Sequence, residues 1–253
     1  MQIQGKTVAI TGAGRGLGRA MALEFATRGG QVALIDLNVA DLEETKRLCA
    51  EHGVTARSYT CNVTSEDAVT ATMDAIVRDF GSLDVLINNA GIVKDGLLIK
   101  VKDGKVVNKL SLDQWNAVIG VNLTGVFLCG REAAQRMVEL GHGGVIINIS
   151  SISKDGNLGQ TNYSAAKAGV ASMATVWAKE LARYGIRIGA IAPGFCATDI
   201  LAGMTPETLA RVTAPVPLKR LGEPSEIART AVFIVENDFF TGRTLAVDGG
   251  LRL

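Results

Sequence analysis

Tyr163 and Lys167 stand four residues apart in Asn162-Tyr163-Ser164-Ala165-Ala166-Lys167. On a helix that spacing puts a phenol and an ammonium on one face, about one turn from each other. The chemistry on offer is proton transfer. A free phenol, with a pKa near ~10, is a poor proton donor or acceptor at neutral pH, and a nearby ammonium favours the phenolate and lowers that value. A shift of roughly two to three units needs about 3–4 kcal/mol. One lysine is not assumed to supply all of it, so a fixed positive charge on a bound cofactor would help. Taken alone the pair is also a common surface arrangement, and the rest of the chain has to decide.

A second constellation lies near the amino terminus. The apolar run Thr7-Val8-Ala9-Ile10-Thr11 breaks into Gly12-Ala13-Gly14-Arg15-Gly16-Leu17-Gly18, followed by a helical pattern through Ala20, Leu23 and Phe25. Strand, glycine turn and helix bring backbone N–H groups and a helix N-terminus up to a pyrophosphate. Glycine is needed there for positive φ, or where a Cβ would hold the phosphate away. The spacing is Gly-x-x-x-Gly-x-Gly rather than the common Gly-x-Gly-x-x-Gly. The next strand, Gln31–Ile35, ends on Asp36, a carboxylate placed for a ribose 2′-hydroxyl and set against a 2′-phosphate. NAD(H) is therefore preferred over NADP(H), a preference that Arg15 would soften; the competing reading of Asp36 is a turn or helix cap.

The elements that must position these groups alternate. Strands near Thr55–Thr60, Asp84–Ile87, Gly144–Ile149, Ile186–Ile191 and Thr244–Val247 are separated by helical patterns, one of them announced by Thr64-Ser65-Glu66-Asp67. Alternation at this spacing predicts an α/β fold: a doubly wound Rossmann arrangement over residues 1–253, one domain, with a seven-stranded parallel sheet and helices on both faces. Ligands in such sheets lie beyond the carboxyl ends of the strands, where Gly12, Asp36, Asn62 and Asn88 all fall. Asp103-Gly104, flanked by Leu98–Lys102 and Lys105–Lys109, predicts an extra β-hairpin around 97–110. Asn122 sits inside a helical run, where its amide must find partners if buried. Residues 199–217, with Pro206, Pro215 and Pro217, read as a mobile lid.

Composition excludes several classes. Apolar residues make up 47% and charged residues 20% of 253, with a net charge of +1, which describes a globular chain without a polyanion-binding surface. No nucleic-acid partner is expected. No membrane span is expected either, since no window approaches 18 uninterrupted apolar residues. The amino terminus runs into a strand without an apolar leader, so a cytoplasmic location is expected. Cys49, Cys61, Cys129 and Cys196 lack metal or redox spacing, so no metal site is expected.

Taken together, Thr11–Gly18, Asn88-Asn89-Ala90-Gly91, Asn122, Ser150-Ser151, Tyr163-x-x-x-Lys167 and Pro193-Gly194 resemble the short-chain dehydrogenase/reductase family over essentially the whole chain. Gly159–Gly169 is closest to the branch containing the 3-oxoacyl-[acyl-carrier-protein] reductases. The resemblance implies an oxidoreductase in which Tyr163 is the general acid or base. Lys167 would bind the nicotinamide ribose and, with the oxidised nicotinamide's positive charge, depress the tyrosine's pKa, and Asn122 would anchor a water leading protons from Lys167 to solvent. A serine would orient the carbonyl. Strand register puts that serine at Ser151, whereas counting back from Tyr163 gives Ser150. The implied cofactor contacts are Gly12, Arg15, Gly16, Leu17 and Gly18, then Asp36, with Asn62 and Val63 flanking the adenine. Asn89, Ala90, Gly91, Tyr163, Lys167, Pro193 and Gly194 continue the set, and Thr198 would hold the carboxamide. It also implies a homotetramer, through helices around 111–140 and 163–184 and the last strand.

The substrate expected from the sequence is a small ketone or secondary alcohol. Carrier-protein reductases usually present basic residues before the fifth strand and near the end of the tyrosine helix; here those places read Glu139-Leu140-Gly141-His142 and Arg183-Tyr184. A 3-oxoacyl-thioester or acyl carrier protein substrate is thus the alternative, with Lys100, Lys102, Lys105 and Lys109 as a docking surface, although charges on an exposed hairpin more often keep an edge soluble. A non-catalytic NAD-binding protein on the same fold is the third reading.

Overall fold

In the computed structural model, which describes residues 1–197 and 205–253, the uninterrupted apolar runs become the middle of one sheet. Its strands are β1 (Thr7–Thr11), β2 (Gln31–Asp36), β3 (Ala56–Thr60), β4 (Val85–Asn88), β7 (Gly144–Ile149), β8 (Ile186–Pro193) and β9 (Arg243–Val247). They lie in the order β3-β2-β1-β4-β7-β8-β9, all parallel. The order reverses between β1 and β4, which opens a crevice at the carboxyl edge.

Each central strand feeds two cores, one residue to each face in turn. Val8, Ile10, Val85 and Ile87 pack with Met21 and Phe25 of α1 (Gly16–Thr27), Leu42 of α2 (Val39–Ala50) and Ile227 of the last helix (Pro224–Glu236). Ala9, Leu86 and Ile146 face Met73 of α3 (Glu66–Phe80), Met137 of α5 (Gly125–Leu140) and Ala174 of α6 (Thr161–Leu181). Burial on both faces explains why these strands read as continuous apolar runs rather than alternating ones. At about 25 cal/mol per Å² of apolar surface, each fully buried leucine, isoleucine or phenylalanine contributes roughly 2 kcal/mol.

Two local devices position the site. The helical run from Leu112 to Leu140 is α4 (Leu112–Ile119), a π-turn over Gly120–Thr124, and α5. Ser111 and Gln114 form a reciprocal capping box at its start. By length and apolarity the run is able to cross a membrane, yet 56% of its apolar 18-residue window is buried inside this fold, as in a core helix. The hairpin forms as predicted: β5 (Ile99–Lys102) pairs antiparallel with β6 (Lys105–Lys109), turning on Asp103 and Gly104, both at positive φ. Of the expected lid, the described part is α7 (Pro206–Thr213) and a return stretch in which Val216 packs with Ile152 and Leu251. Residues 199–204 of it lie outside the described residues.

Candidate active site

The carboxyl ends of β1, β2, β4, β7 and β8 enclose a cavity of about 670 Å³. Gly12, Arg15, Gly16 and Leu17 form one wall, and Asp36, Asn62 and Val63 the adjoining one. Asn89, Ala90 and Gly91 lie across from Ser150, Ser151, Tyr163 and Lys167, with Pro193 and Gly194 beyond. Gly18 and Asn122 are not among the lining residues. Thr198 falls outside the described residues.

The glycine turn fits a dinucleotide by what it leaves open. Gly12 has φ +65°, and a Cβ there would come within 2.9 Å of the Ala90 Cα; one on Gly18 would run into the Gly12 carbonyl. Helix α1 has no side-chain N-cap and no acidic residue in its first turn. Helices α2 and α3 are capped by Asn38 and Ser65. An uncapped helix start facing a cavity offers its N–H groups to an anion. Thr11 fastens the two walls, its hydroxyl accepting from the N–H of Asn89 and of Ala90 at 3.0 Å each, while the Asn89 amide donates to the Thr11 and Gly12 carbonyls.

At the other end Lys167 is buried, and its Nζ donates to the Ile149 carbonyl at 2.7 Å. The Nζ lies 5.6 Å from the centroid of the Tyr163 ring. Loss of solvent pushes the lysine down to about 8. The phenol moves the other way: burial raises it, the Ser151 hydroxyl pulls it back in part, and Asp95 adds to the rise. In the chain alone, desolvation dominates both groups; the depression expected of Lys167 acting with an oxidised nicotinamide belongs to the loaded site.

The two serines have different partners. Ser150 donates to the Lys167 carbonyl at 2.7 Å, tying β7 to α6. Ser151 lines the cavity with the phenol and accepts from the Ser153 N–H at 3.1 Å. Asn122, fully buried in the π-turn, accepts from the Ile92 N–H at 2.8 Å and donates to the Ile92 carbonyl at 2.9 Å. A Cβ on Gly91 would lie 3.5 Å from Asn122 Oδ1 and 3.7 Å from Lys167 Nζ, so the two side chains border one spot.

Sequence reasoning passed over Asn162. It is buried, accepts from the Tyr163 N–H at 2.8 Å, and donates to the carbonyls of Lys94 and Gln114 at 3.1 Å each. The catalytic helix is thereby pinned to the loop after β4. A polar residue just before Tyr163 was the available signal, but its partners are 48 and 68 residues distant in sequence. Cys61 and Cys196 line the cavity as buried free thiols, both pushed up by desolvation.

Comparison with known proteins agrees with this geometry. The family profile described as Enoyl-(Acyl carrier protein) reductase matches residues 12–252. The 3-oxoacyl-[acyl-carrier-protein] reductase FabG of Thermotoga maritima is 37% identical over 254 residues, covering 99% of each chain. A short-chain type dehydrogenase/reductase from Mycobacterium marinum superposes with a TM-score of 0.90 at 30% identity, covering 98% of this chain and 96% of that one. NAD+-bound xylitol dehydrogenase superposes with a TM-score of 0.88 at 32% identity, covering 99% of this chain and all of that one. The molecule is accordingly an oxidoreductase acting between CH–OH and C=O groups, which removes the non-catalytic reading. Within that class, the chain belongs to the short-chain dehydrogenase/reductase family.

One expectation is overturned. The preference for NAD(H) over NADP(H) that Asp36 suggests does not stand against full-length relatives that are 3-oxoacyl-[acyl-carrier-protein] reductases. Asp36 explains why its charge misleads. One oxygen accepts from the Gly14 N–H at 3.0 Å, the other from the N–H groups of Leu37 at 2.7 Å and Asn38 at 3.2 Å. The carboxylate clamps the glycine turn, while Arg15 stands exposed on the cavity wall, a cation within the same turn.

Proposed function

We propose that the protein reduces a 3-oxoacyl thioester, presented by an acyl carrier protein, to the 3-hydroxy form with NADP(H). The alternative weighed in the sequence thus takes precedence over the small ketone. The observation that carries it is full-length kinship: the Thermotoga maritima reductase and this chain each cover 99% of the other. The reading is supported by Ser151, Tyr163 and Lys167 lining one cavity with the glycine turn.

When bound, the dinucleotide would supply the hydride and, once oxidised, a positive charge. This chain's residues do the rest. Gly12, Gly16 and Leu17, with the start of α1, would hold the pyrophosphate; Asn62 and Val63 would flank the adenine, and Asp36 and Arg15 would border its ribose. Lys167, held on the Ile149 carbonyl, would bind the second ribose. Asn89, Ala90, Gly91, Pro193 and Gly194 would shape the nicotinamide end. Ser151 orients the substrate carbonyl beside Tyr163, whose phenol donates the proton to the oxygen as the carbon is reduced. Asn122, bordering the Lys167 ammonium, sits where a water would carry a replacement proton inward.

A purified sample should consume NADPH, followed by absorbance near ~340 nm, when given acetoacetyl-carrier protein, with kcat/KM in the range of about 10⁴–10⁸ M⁻¹s⁻¹. No turnover of acetoacetyl thioesters with either reduced dinucleotide would sink the reading. The second reading, a small ketone or secondary alcohol, is supported by the missing basic residues at 139–142 and by the xylitol dehydrogenase likeness; a panel of ketones and polyols separates the two. We also place the enzyme in the cytosol as a homotetramer. Leu123, Phe127, Met173, Val176 and Trp177 line an open apolar groove between α5 and α6, and β9 is an edge strand. Sedimentation velocity giving a monomer would remove the tetramer.

A further inference from the structure

The hairpin β5–β6 is the part of the described structure that the chemistry above leaves unused. Its register sorts its side chains onto two faces. Lys102 lies opposite Lys105 and Lys100 opposite Asn108, so these four share one face; Ile99, Val101, Val106 and Lys109 share the other, with a bulge beside Val107. Every residue of both strands is exposed: Ile99, Val101 and Val106 are 56%, 54% and 61% accessible. Nothing described in the fold covers either face.

Such an element is physically ill at ease alone. A two-stranded hairpin is marginal in water, and like charges directly opposite each other destabilise it. Four lysines stand against one carboxylate, Asp103 in the turn, and none of the four has an acidic partner among the described residues. The hairpin's root, however, is fastened beside the catalytic helix. The Gly96 N–H donates to the Gly159 carbonyl at 2.8 Å, and Gln160 Nε2 donates to Asp95 at 2.9 Å. Gly159 and Gln160 lie four and three residues before Tyr163. The exposed Leu97, Leu98 and Leu158 lie along that root.

We propose that this hairpin is the docking surface for an acidic carrier protein, which meets the lysine face and sends its acyl thioester past the root to Tyr163. The inference rests on the proposed function and deepens it. Charge complementarity selects the occupant: an acidic partner relieves the Lys102–Lys105 opposition, whereas a second copy of this hairpin would set lysine on lysine. Carrier docking then does not depend on the two places where the family pattern puts basic residues, which here read Glu139-Leu140-Gly141-His142 and Arg183-Tyr184.

The test compares three 3-oxoacyl substrates, carried by an acidic acyl carrier protein, by coenzyme A and by N-acetylcysteamine, in the wild type and in Lys100→Glu/Lys102→Glu/Lys105→Glu. The variant should lose about tenfold in kcat/KM for the carrier-linked substrate and change by less than about twofold for the N-acetylcysteamine thioester. The wild type's advantage for the carrier should fall as salt rises from roughly 50 to 300 mM, and the variant's should not. Equal losses on carrier and N-acetylcysteamine substrates overturn the proposal. So does a matching loss on coenzyme A, which would mean that the lysines read phosphate rather than a protein. Should the triple variant fail to fold, replacement of residues 99–109 by a short glycine-serine link gives the same readout, and a salt-independent wild type overturns the proposal by itself. Turnover of the N-acetylcysteamine thioester with no carrier preference removes the docking surface alone; no turnover of any of the three removes the reading beneath it as well.

Discussion

Strands β1 and β6 have the same length, five residues each, and opposite surroundings. Every residue of β1 is buried and every residue of β6 is exposed. In β1 the backbone is held by parallel partners on both sides and by helices on both faces, so its carboxyl end is fixed to the fraction of an ångström that a phosphate cradle requires. In β6 one antiparallel partner and an Asp-Gly turn are all that define the strand. The contrast separates two tasks. On the proposed reading, the rigid buried strand serves the chemistry and the exposed hairpin the recognition of a large partner.

The largest expected effect tests the rigid side. Tyr163→Phe should lower kcat by about 10³-fold, near 4 kcal/mol, while dinucleotide affinity by calorimetry stays close to wild type. A variant retaining wild-type turnover would mean that the proton comes from elsewhere.

Next comes the buried ammonium. Without dinucleotide, Lys167 titrates near 8 in the folded chain against 10.5 when unfolded. Between those values the unfolded state holds more protons, so stability rises with pH, by up to roughly 3 kcal/mol across the window. Below it both states carry the charge, and the folded state bears the full burial penalty. Urea unfolding from pH 7 to 10.5 should show this rise in wild type and a smaller one in Lys167→Met; identical slopes would contradict the burial argument.

Gly18→Ala should destabilise by about 2 kcal/mol, because the new methyl group meets the Gly12 carbonyl and the Asn89 amide with little room to relax. Dinucleotide affinity should fall with it; a neutral result by thermal melting would show the turn to be softer than its contacts imply. The smallest effect belongs to the hairpin. Val106→Ser, on its exposed apolar face, should shift stability by no more than about 0.5 kcal/mol. A loss several times larger would reveal that something covers this face in solution.

Much of the site could be read in advance because its signals are local. Gly12 to Gly18, Asp103-Gly104 and the Tyr163–Lys167 spacing each depend on the conformation of a few consecutive residues. Asn162 and the division of labour between the serines could not be read, since their partners arrive from distant segments. Ser150 and Ser151 are the same residue type at adjacent positions; only packing against α6 turns one hydroxyl to the Lys167 carbonyl and leaves the other on the cavity lining with the phenol.

Asp36 illustrates the limit from the other side. Its place at the tip of β2 was legible, and a charge there argued for one dinucleotide over the other. The hydrogen bonds from Gly14, Leu37 and Asn38 show that carboxylate acting as a clamp, a role that depends on how the turn folds back over it.

What the chain determines by itself is therefore the order of strands and helices, the glycine turn, the hairpin and the spacing of the proton-transfer pair, because hydrophobic period and backbone sterics act over short stretches. Tertiary structure alone decided the π-turn that aims Asn122, the facing of the two serines, and the opposed shifts of Tyr163 and Lys167. Each of those depends on solvent excluded, or a partner supplied, by residues far away along the chain.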